Sequence, residues 1–208
     1  MHAAGVRGIR VNLYKYQAMH DLERQKIALR EHARRISRFQ GWTMAFTHVH
    51  PEFWGSLRSV IERDVAGRGI RLVTDHFALL KGSSMLSPEL DGDVTKQPGF
   101  TDILSLVRDG LLYVKLSAPY RISEKGPDYA DLQPIVRALV NANPRRILWG
   151  SDWPHTPRMK VRSHEEAMAE TPFLEVDDLA WLQSLKSWLS EEEWTLMVLE
   201  NPKELYDW

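Results

Sequence analysis

Residues 5–13 read GVRGIRVNL, with Ile9, Val11 and Leu13 on one side of an alternation and Gly8, Arg10 and Asn12 on the other. A period of two is the mark of a strand with one apolar face. Residues 20–39 follow with Leu22, Leu29, Ala33 and Ile36 at helical spacing among many charges, and Gly41 supplies the stop. The pairing of strand with helix then recurs. Strands are expected at 43–48, 70–75, 111–116 and 147–149, and helices at 52–66, 101–108 and 129–140. Residues 81–99, rich in Gly, Ser, Pro and Asp, form a long loop after the third strand. Beyond the last strand only helices are expected, at 177–189 and 191–200, with a final turn at 201–208. Five strands alternating with helices, and no hairpin signal, give an α/β fold with a parallel sheet and right-handed crossovers.

An open doubly wound sheet would suit five strands, but its usual Gly-rich phosphate turn after the first strand is absent. A TIM-type (β/α)8 barrel explains the polar residues at the strand ends, yet 208 residues fall short of the roughly 250 that a full barrel takes. The expectation is therefore a single domain over 1–208, an incomplete barrel lacking its first two or three strands. Open sheet edges are an aggregation hazard, so a second copy covering them is expected as a partner.

Composition bounds the function. With 27 Lys and Arg against 28 Asp and Glu, the formal net charge of −1 gives no general attraction to nucleic acid or anionic membrane. The helix at 20–39 carries Arg24, Lys26, Arg30, Arg34, Arg35 and Arg38, but Asp21, Glu23 and Glu31 interleave with them, as on a solvated outer face. The absence of Cys excludes disulfides, thiol nucleophiles and thiolate metal sites. No run approaches the ~20 apolar residues of a membrane span, so a soluble, cytoplasmic protein is expected. The eight Trp fit core packing or a ligand pocket.

In either architecture the active site lies at the carboxyl ends of the strands. The residues standing there are Arg10 and Asn12, then His48 and His50, then Asp75 and His76. Lys115, Ser117, Tyr120 and Arg121 follow, and Ser151, Asp152 and His155 come last. Asp152, in ILWGSDWPHTP, could deprotonate water or ligate a divalent ion, or simply cap the next turn. His76 follows Leu72 and Thr74 on one face of its strand and could polarise a carbonyl, bind metal, or be a hydrogen-bonded structural residue. Arg10 and Arg121, with Lys115 and Lys15, would put several cations around one mouth, a receptor for carboxylate or phosphate. The alternative for Arg10 and Lys115 is burial in pairs with Asp75 or with Glu residues as part of barrel packing. His48 and His50 form an HxH that could ligate a metal, because alternate residues share a strand face, although Pro51 ends the strand and could leave His50 in the loop.

GVRGIRVNL, VTDHFALLKG, LYVKLSAPYR, LWGSDWPH and ENPKELY stand in an order that resembles the amidohydrolase-related family of TIM-barrel hydrolases. The closest likeness is to the branch similar to 2-pyrone-4,6-dicarboxylate lactonases, and it runs from Gly5 to Tyr206. The resemblance implies that Asp152 activates the water that attacks a lactone or ester-like carbonyl, that His76 polarises that carbonyl, and that Arg10 and Arg121 hold substrate carboxylates. Asn12, Tyr120 and His48 complete the expected substrate site, and the expected partner is a small carboxylate-bearing molecule. In the lactonase branch no cofactor is required. Decarboxylase and amidohydrolase relatives instead use the residues matching Asp152 and His76 to bind zinc or another divalent ion.

Two departures matter. The family's HxH pair on its first strand has no counterpart here, which keeps a catalytically inactive truncated barrel as an alternative to the hydrolase. The family also places Gly soon after the histidine matching His76, whereas Phe77, Ala78 and Leu79 intervene here before Gly82.

Overall fold

In a computed structural model that describes residues 2–157 and 168–207, five parallel strands form one sheet in the order β1-β2-β3-β4-β5. They are β1 (Gly8–Arg10), β2 (Thr43–Ala45), β3 (Arg71–Thr74), β4 (Tyr113–Leu116) and β5 (Ile147–Trp149). The helices between them are α1 (Leu22–Ile36), α2 (Phe53–Val60), α3 (Phe100–Arg108) and α4 (Gln133–Ala142). After β5 come α5 (Asp178–Trp188), α6 (Glu191–Thr195) and α7 (Asn201–Tyr206). Among the described residues no helix is long and apolar enough to cross a membrane.

Each expected element is present, but the strands are shorter than their alternation. The strand expected at 5–13 keeps ladder pairing only at Gly8–Arg10, although Val11 and Leu13 continue the buried side. Helix α1 starts where the sequence supplies a cap: the Asp21 carboxylate accepts the N–H of Arg24 at 3.0 Å, and Ala28, Leu29, Ala33 and Ile36 turn inward. Helix α2 runs on through a π turn, Ile61–Val65, and Glu200 closes another, Leu196–Glu200, between α6 and α7. Residues 81–99 form a series of single 3-10 turns. The final turn is a helix, α7, and its last expected residue, Trp208, lies outside the described residues.

Register decides which side chains face which layer. Gly8 pairs with Thr43, Thr43 with Arg71, Val73 with Tyr113, and Lys115 with Leu148. Because Cβ atoms alternate along a strand, Arg10, Ala45, Val73, Tyr113, Lys115 and Leu148 share the concave side. The opposite side packs Met44, Phe46, Leu72, Val114 and Leu116 against Leu29, Trp54, Leu57, Ile103, Val107 and Leu139 of the helices. Burial of each such Leu or Ile contributes about 1.5–3 kcal/mol, so this layer holds the sheet and helices together.

The concave side has its own small apolar cluster, in which Leu205 of α7 packs on Val73, Tyr113 and Leu148. Polar bonds hold α7 there, at the amino-terminal end of the sheet. Thr43 Oγ1 donates to the Leu205 carbonyl at 2.8 Å, Arg71 Nη1 donates to the carbonyls of Glu204 and Leu205, and Tyr113 OH donates to Glu204 Oε1 at 2.8 Å. Arg146 Nη1 lies 3.2 Å from Glu204 Oε1 and donates to Tyr113 OH at 2.9 Å. The last carbonyls of a helix have no intrahelical partner, and here the strands supply one.

Candidate active site at the carboxyl ends of the strands

At the opposite end of the sheet the chain leaves β3 through four consecutive residues with positive φ, His76 (54°), Phe77 (58°), Ala78 (54°) and Leu79 (61°). For residues with a Cβ this left-handed backbone costs roughly 1–2 kcal/mol each. It has a geometrical effect. Leu72 and Thr74, whose side of the strand His76 shares by alternation, face the helices and not the concave side, so strand periodicity alone would turn the imidazole away from the site. The left-handed turn brings it back. His76 Nδ1 lies 2.9 Å from Ser117 Oγ, the same oxygen accepts the His76 N–H at 3.1 Å, and His76 Nε2 stands 3.7 Å from Asp152 Oδ1.

Asp152 also sits at positive φ (66°), just past β5. Its Oδ2 accepts from Tyr120 OH at 2.7 Å and from Arg121 Nε and Nη2 at 3.0 and 2.9 Å. Arg121 Nη2 further donates to the Thr156 carbonyl at 3.0 Å, and its guanidinium lies over the Tyr120 ring. Five of the residues singled out in the sequence, His76, Ser117, Tyr120, Arg121 and Asp152, thus meet within one contact set.

Asp75 centres a second set on the concave side. Buried, it accepts from Thr47 Oγ1 at 3.1 Å and pairs with Lys115 Nζ at 3.0 Å and with Arg10 Nη2 at 3.6 Å. The Arg10 side chain is 71% exposed, so its pair with Asp75 is loose and its donors face the mouth. Lys115 is the closer partner. Asn12 is exposed and its Oδ1 accepts the Lys15 N–H at 3.1 Å, closing the turn after β1. His48 is placed elsewhere, 2% exposed and packed by Phe46, Phe53 and Trp54. His50 lies in the loop, bonded to His20 at 2.7 Å and to Glu52 at 2.9 Å.

Electrostatics follow from these surroundings. Burial pushes the His76 pKa down and outweighs the pull of Asp152 and Asp75, so the ring is neutral at pH 7. Burial alone would raise Asp75, but Lys115, His76 and Arg10 hold it below the usual carboxylate range. Lys115 is raised, burial being outweighed by Asp75 and Tyr206. Tyr120 is raised by burial and by its bond to Asp152, so it remains a phenol and a donor. His48 is lowered to about 4, chiefly by burial and secondarily by His50.

A divalent cation here would have to share Asp152 with a guanidinium and a phenol. Asp152 keeps one oxygen clear of Tyr120 and Arg121, and a guanidinium stands 2.9 Å from its carboxylate. Among the described residues no group of three or more His, Asp or Glu is set to hold a metal ion.

The family model described as Amidohydrolase matches residues 1–208. The chain belongs to the amidohydrolase family. It is 33% identical over 110 residues to 4-sulfomuconolactone hydrolase of Hydrogenophaga intermedia, covering 53% of this chain and 33% of that protein. It is 28% identical over 218 residues to 2-pyrone-4,6-dicarboxylate hydrolase of Comamonas testosteroni, covering 99% of this chain and 61% of that one. A crystal structure from Pseudomonas putida, assigned as a 2-pyrone-4,6-dicarboxylic acid hydrolase, superposes with a TM-score of 0.67 at 26% identity, over 100% of this chain and 65% of that one. The five-stranded parallel sheet is thus that of the amidohydrolase barrels, and the chain spans a third to under two thirds of the length of these curated relatives.

Some of the site was not legible in advance. Ser117 was visible at a strand end, but nothing marked it as the partner of His76. Thr47 shares the polar side of β2 with Thr43, and that alternation is a signal that could have found it. Thr156 meets Arg121 through both its backbone carbonyl and its hydroxyl, and only the second belongs to a side chain that the sequence shows.

Proposed function

We propose that the site hydrolyses a lactone or similar cyclic carbonyl compound bearing carboxylates, with Asp152 as the base that activates water. The observation that carries this is the convergence of His76, Tyr120 and Arg121 on Asp152 at the strand ends. Neutral His76 is held at Nδ1 by Ser117. If that hydroxyl accepts the backbone N–H and donates to Nδ1, the ring proton sits on Nε2 and is free to bond the substrate carbonyl. Arg121 in this state donates to Asp152 and to Thr156. A substrate carboxylate competes for the same planar fork, and as it draws Arg121 away the Asp152 oxygen is freed to accept a proton. Asp152 then takes a proton from water, the hydroxide adds to the carbonyl, and the ring C–O bond breaks with the proton passing to the leaving oxygen. Arg10, exposed at the rim, is placed for a second carboxylate, with Asn12 beside it.

The relatives named as lactone hydrolases support this substrate class, and the reading needs no cofactor. In the same reading the five strands are part of an eight-stranded barrel, and β1 and β5, which are edges here, pair with further strands or with a second copy. The test is a screen of lactones with and without carboxylates against this chain and against a form extended upstream through an HxH strand. Turnover confined to carboxylate-bearing lactones supports the proposal. Equal turnover of neutral lactones, or none by either form, refutes it.

A further inference from the structure

Two loops flank Arg121, and one carboxylate outside the contact set joins them. Asp131 lies in the 3-10 turn Ala130–Leu132 that leads into α4. Its Oδ2 accepts from Ser84 N–H at 2.9 Å and from Ser84 Oγ at 2.6 Å, both in the long loop after β3. Its Oδ1 accepts from Ser123 Oγ, two residues beyond Arg121. The hydroxyls are used twice over: Ser84 Oγ accepts the Glu124 N–H at 2.9 Å and Ser123 Oγ accepts the Lys125 N–H at 3.0 Å. A backbone bond runs in parallel, from Gly82 N–H to the Ile122 carbonyl at 2.8 Å.

Gly82 permits this approach. A Cβ there would lie 2.5 Å from Asp131 Oδ2 and 2.8 Å from Leu132 Cδ2. The 81–99 loop is itself held from within, since Gln97 accepts the Lys81 N–H at 2.7 Å and donates to the carbonyls of Lys81 and Val94 at 3.1 and 2.8 Å. The loop after β3 is therefore a braced wall, and the turn carrying Arg121 is fastened to it.

We infer that Asp131 is a positioning residue for Arg121: by tying Ser84 to Ser123 it fixes the turn that aims the guanidinium at Asp152 and at an incoming carboxylate. This rests on the hydrolase reading for its consequence in catalysis, though the restraint on Arg121 exists without it. A guanidinium binds a carboxylate bidentately only in a narrow geometry, so a turn free to shift by about 1 Å weakens the grip. Substituting Asn keeps the size of the side chain but turns one oxygen into a donor, which must face either the Ser84 donors or the Ser123 hydroxyl.

The experiment uses the whole chain with Asp131→Asn and, as a milder lesion, Ser84→Ala. Two quantities are read: KM and kcat for a carboxylate-bearing lactone beside a neutral one, and exchange of the Arg121 Nε–H with water by NMR. The expected result for Asp131→Asn is a KM raised at least about tenfold for the carboxylate-bearing lactone alone, with kcat within about threefold, and faster Nε–H exchange; Ser84→Ala falls between. A folded Asp131→Asn protein with unchanged KM and unchanged Nε–H exchange overturns the inference. Should neither this chain nor the form extended upstream turn over a lactone, the hydrolase reading fails, and Nε–H exchange alone then decides the positioning of Arg121.

Discussion

The two ends of the sheet carry similar side chains arranged to opposite effect. At the amino-terminal end Arg71, Arg146, Tyr113 and Thr43 spend their donors on the carbonyls and the one carboxylate of α7, and the strands there are regular. At the carboxyl end Asp75 faces two cations, Asp152 is bonded by an arginine and a phenol, and the backbone at His76–Leu79 and at Asp152 is left-handed. Charge alone does not distinguish a site from a brace. What does is whether a ligand could draw the charged groups apart without unfolding anything, and whether the backbone is held in a costly conformation to aim them.

The comparison breaks most visibly at Arg121. Arg121→Met should lower kcat/KM for a carboxylate-bearing lactone by about 1000-fold, or roughly 4 kcal/mol, with a thermal midpoint close to wild type. Steady-state kinetics beside thermal unfolding would show it, and a large loss of stability with intact turnover would make Arg121 a brace like Arg146.

His48 tests the core under the site. Its pKa lies below that of the unfolded chain, so the unfolded state binds the proton more readily. The stability it confers is complete above about pH 6.5 and is lost as pH falls towards about 4. Over that window the loss should reach roughly 3 kcal/mol, and His48→Gln should flatten it in urea titrations taken at several pH values. An unchanged acid slope would mean that His48 is not buried neutral.

At the other end, Arg146→Met should cost about 1 kcal/mol of stability by removing the cation that Glu204 and Tyr113 share, while turnover per folded molecule stays the same. Denaturant unfolding and an activity assay on one preparation separate the two quantities, and a fall in turnover would extend the site to the wrong end of the sheet. An effect of similar size but opposite sign is expected at Ala78, where glycine removes the Cβ from a left-handed backbone. Ala78→Gly should stabilise the protein by about 1 kcal/mol and raise Tm by about 2–4 °C. A lower Tm would show that the buried methyl group matters more than the backbone.

The fold was largely legible in the sequence because its signals are local. Ile147–Trp149 is a strand as expected, and the apolar side of Ile9, Val11 and Leu13 is the inward side. The π turns were not legible, since helical spacing looks the same through them. At the site, Asp152 and Arg121 followed from their place at strand ends. His76 was singled out on a strand alternation that in fact faces the helices. It reaches the site through Phe77, Ala78 and Leu79 in left-handed conformation, the stretch where the family places Gly, and that conformation cannot be read from residues that ordinarily avoid it. The Asp131 clamp was invisible for a different reason, since it joins residues 84, 123 and 131 across three elements with no spacing of their own.

The most direct test of the central claim is the turnover of a carboxylate-bearing lactone by Asp152→Asn beside wild type, with binding of the same compound measured by calorimetry. The account predicts that kcat falls by at least about 100-fold while the compound still binds, because the amide cannot take the proton from water but leaves Arg10 and Arg121 in place. Turnover equal to wild type would contradict it and move the base to another residue.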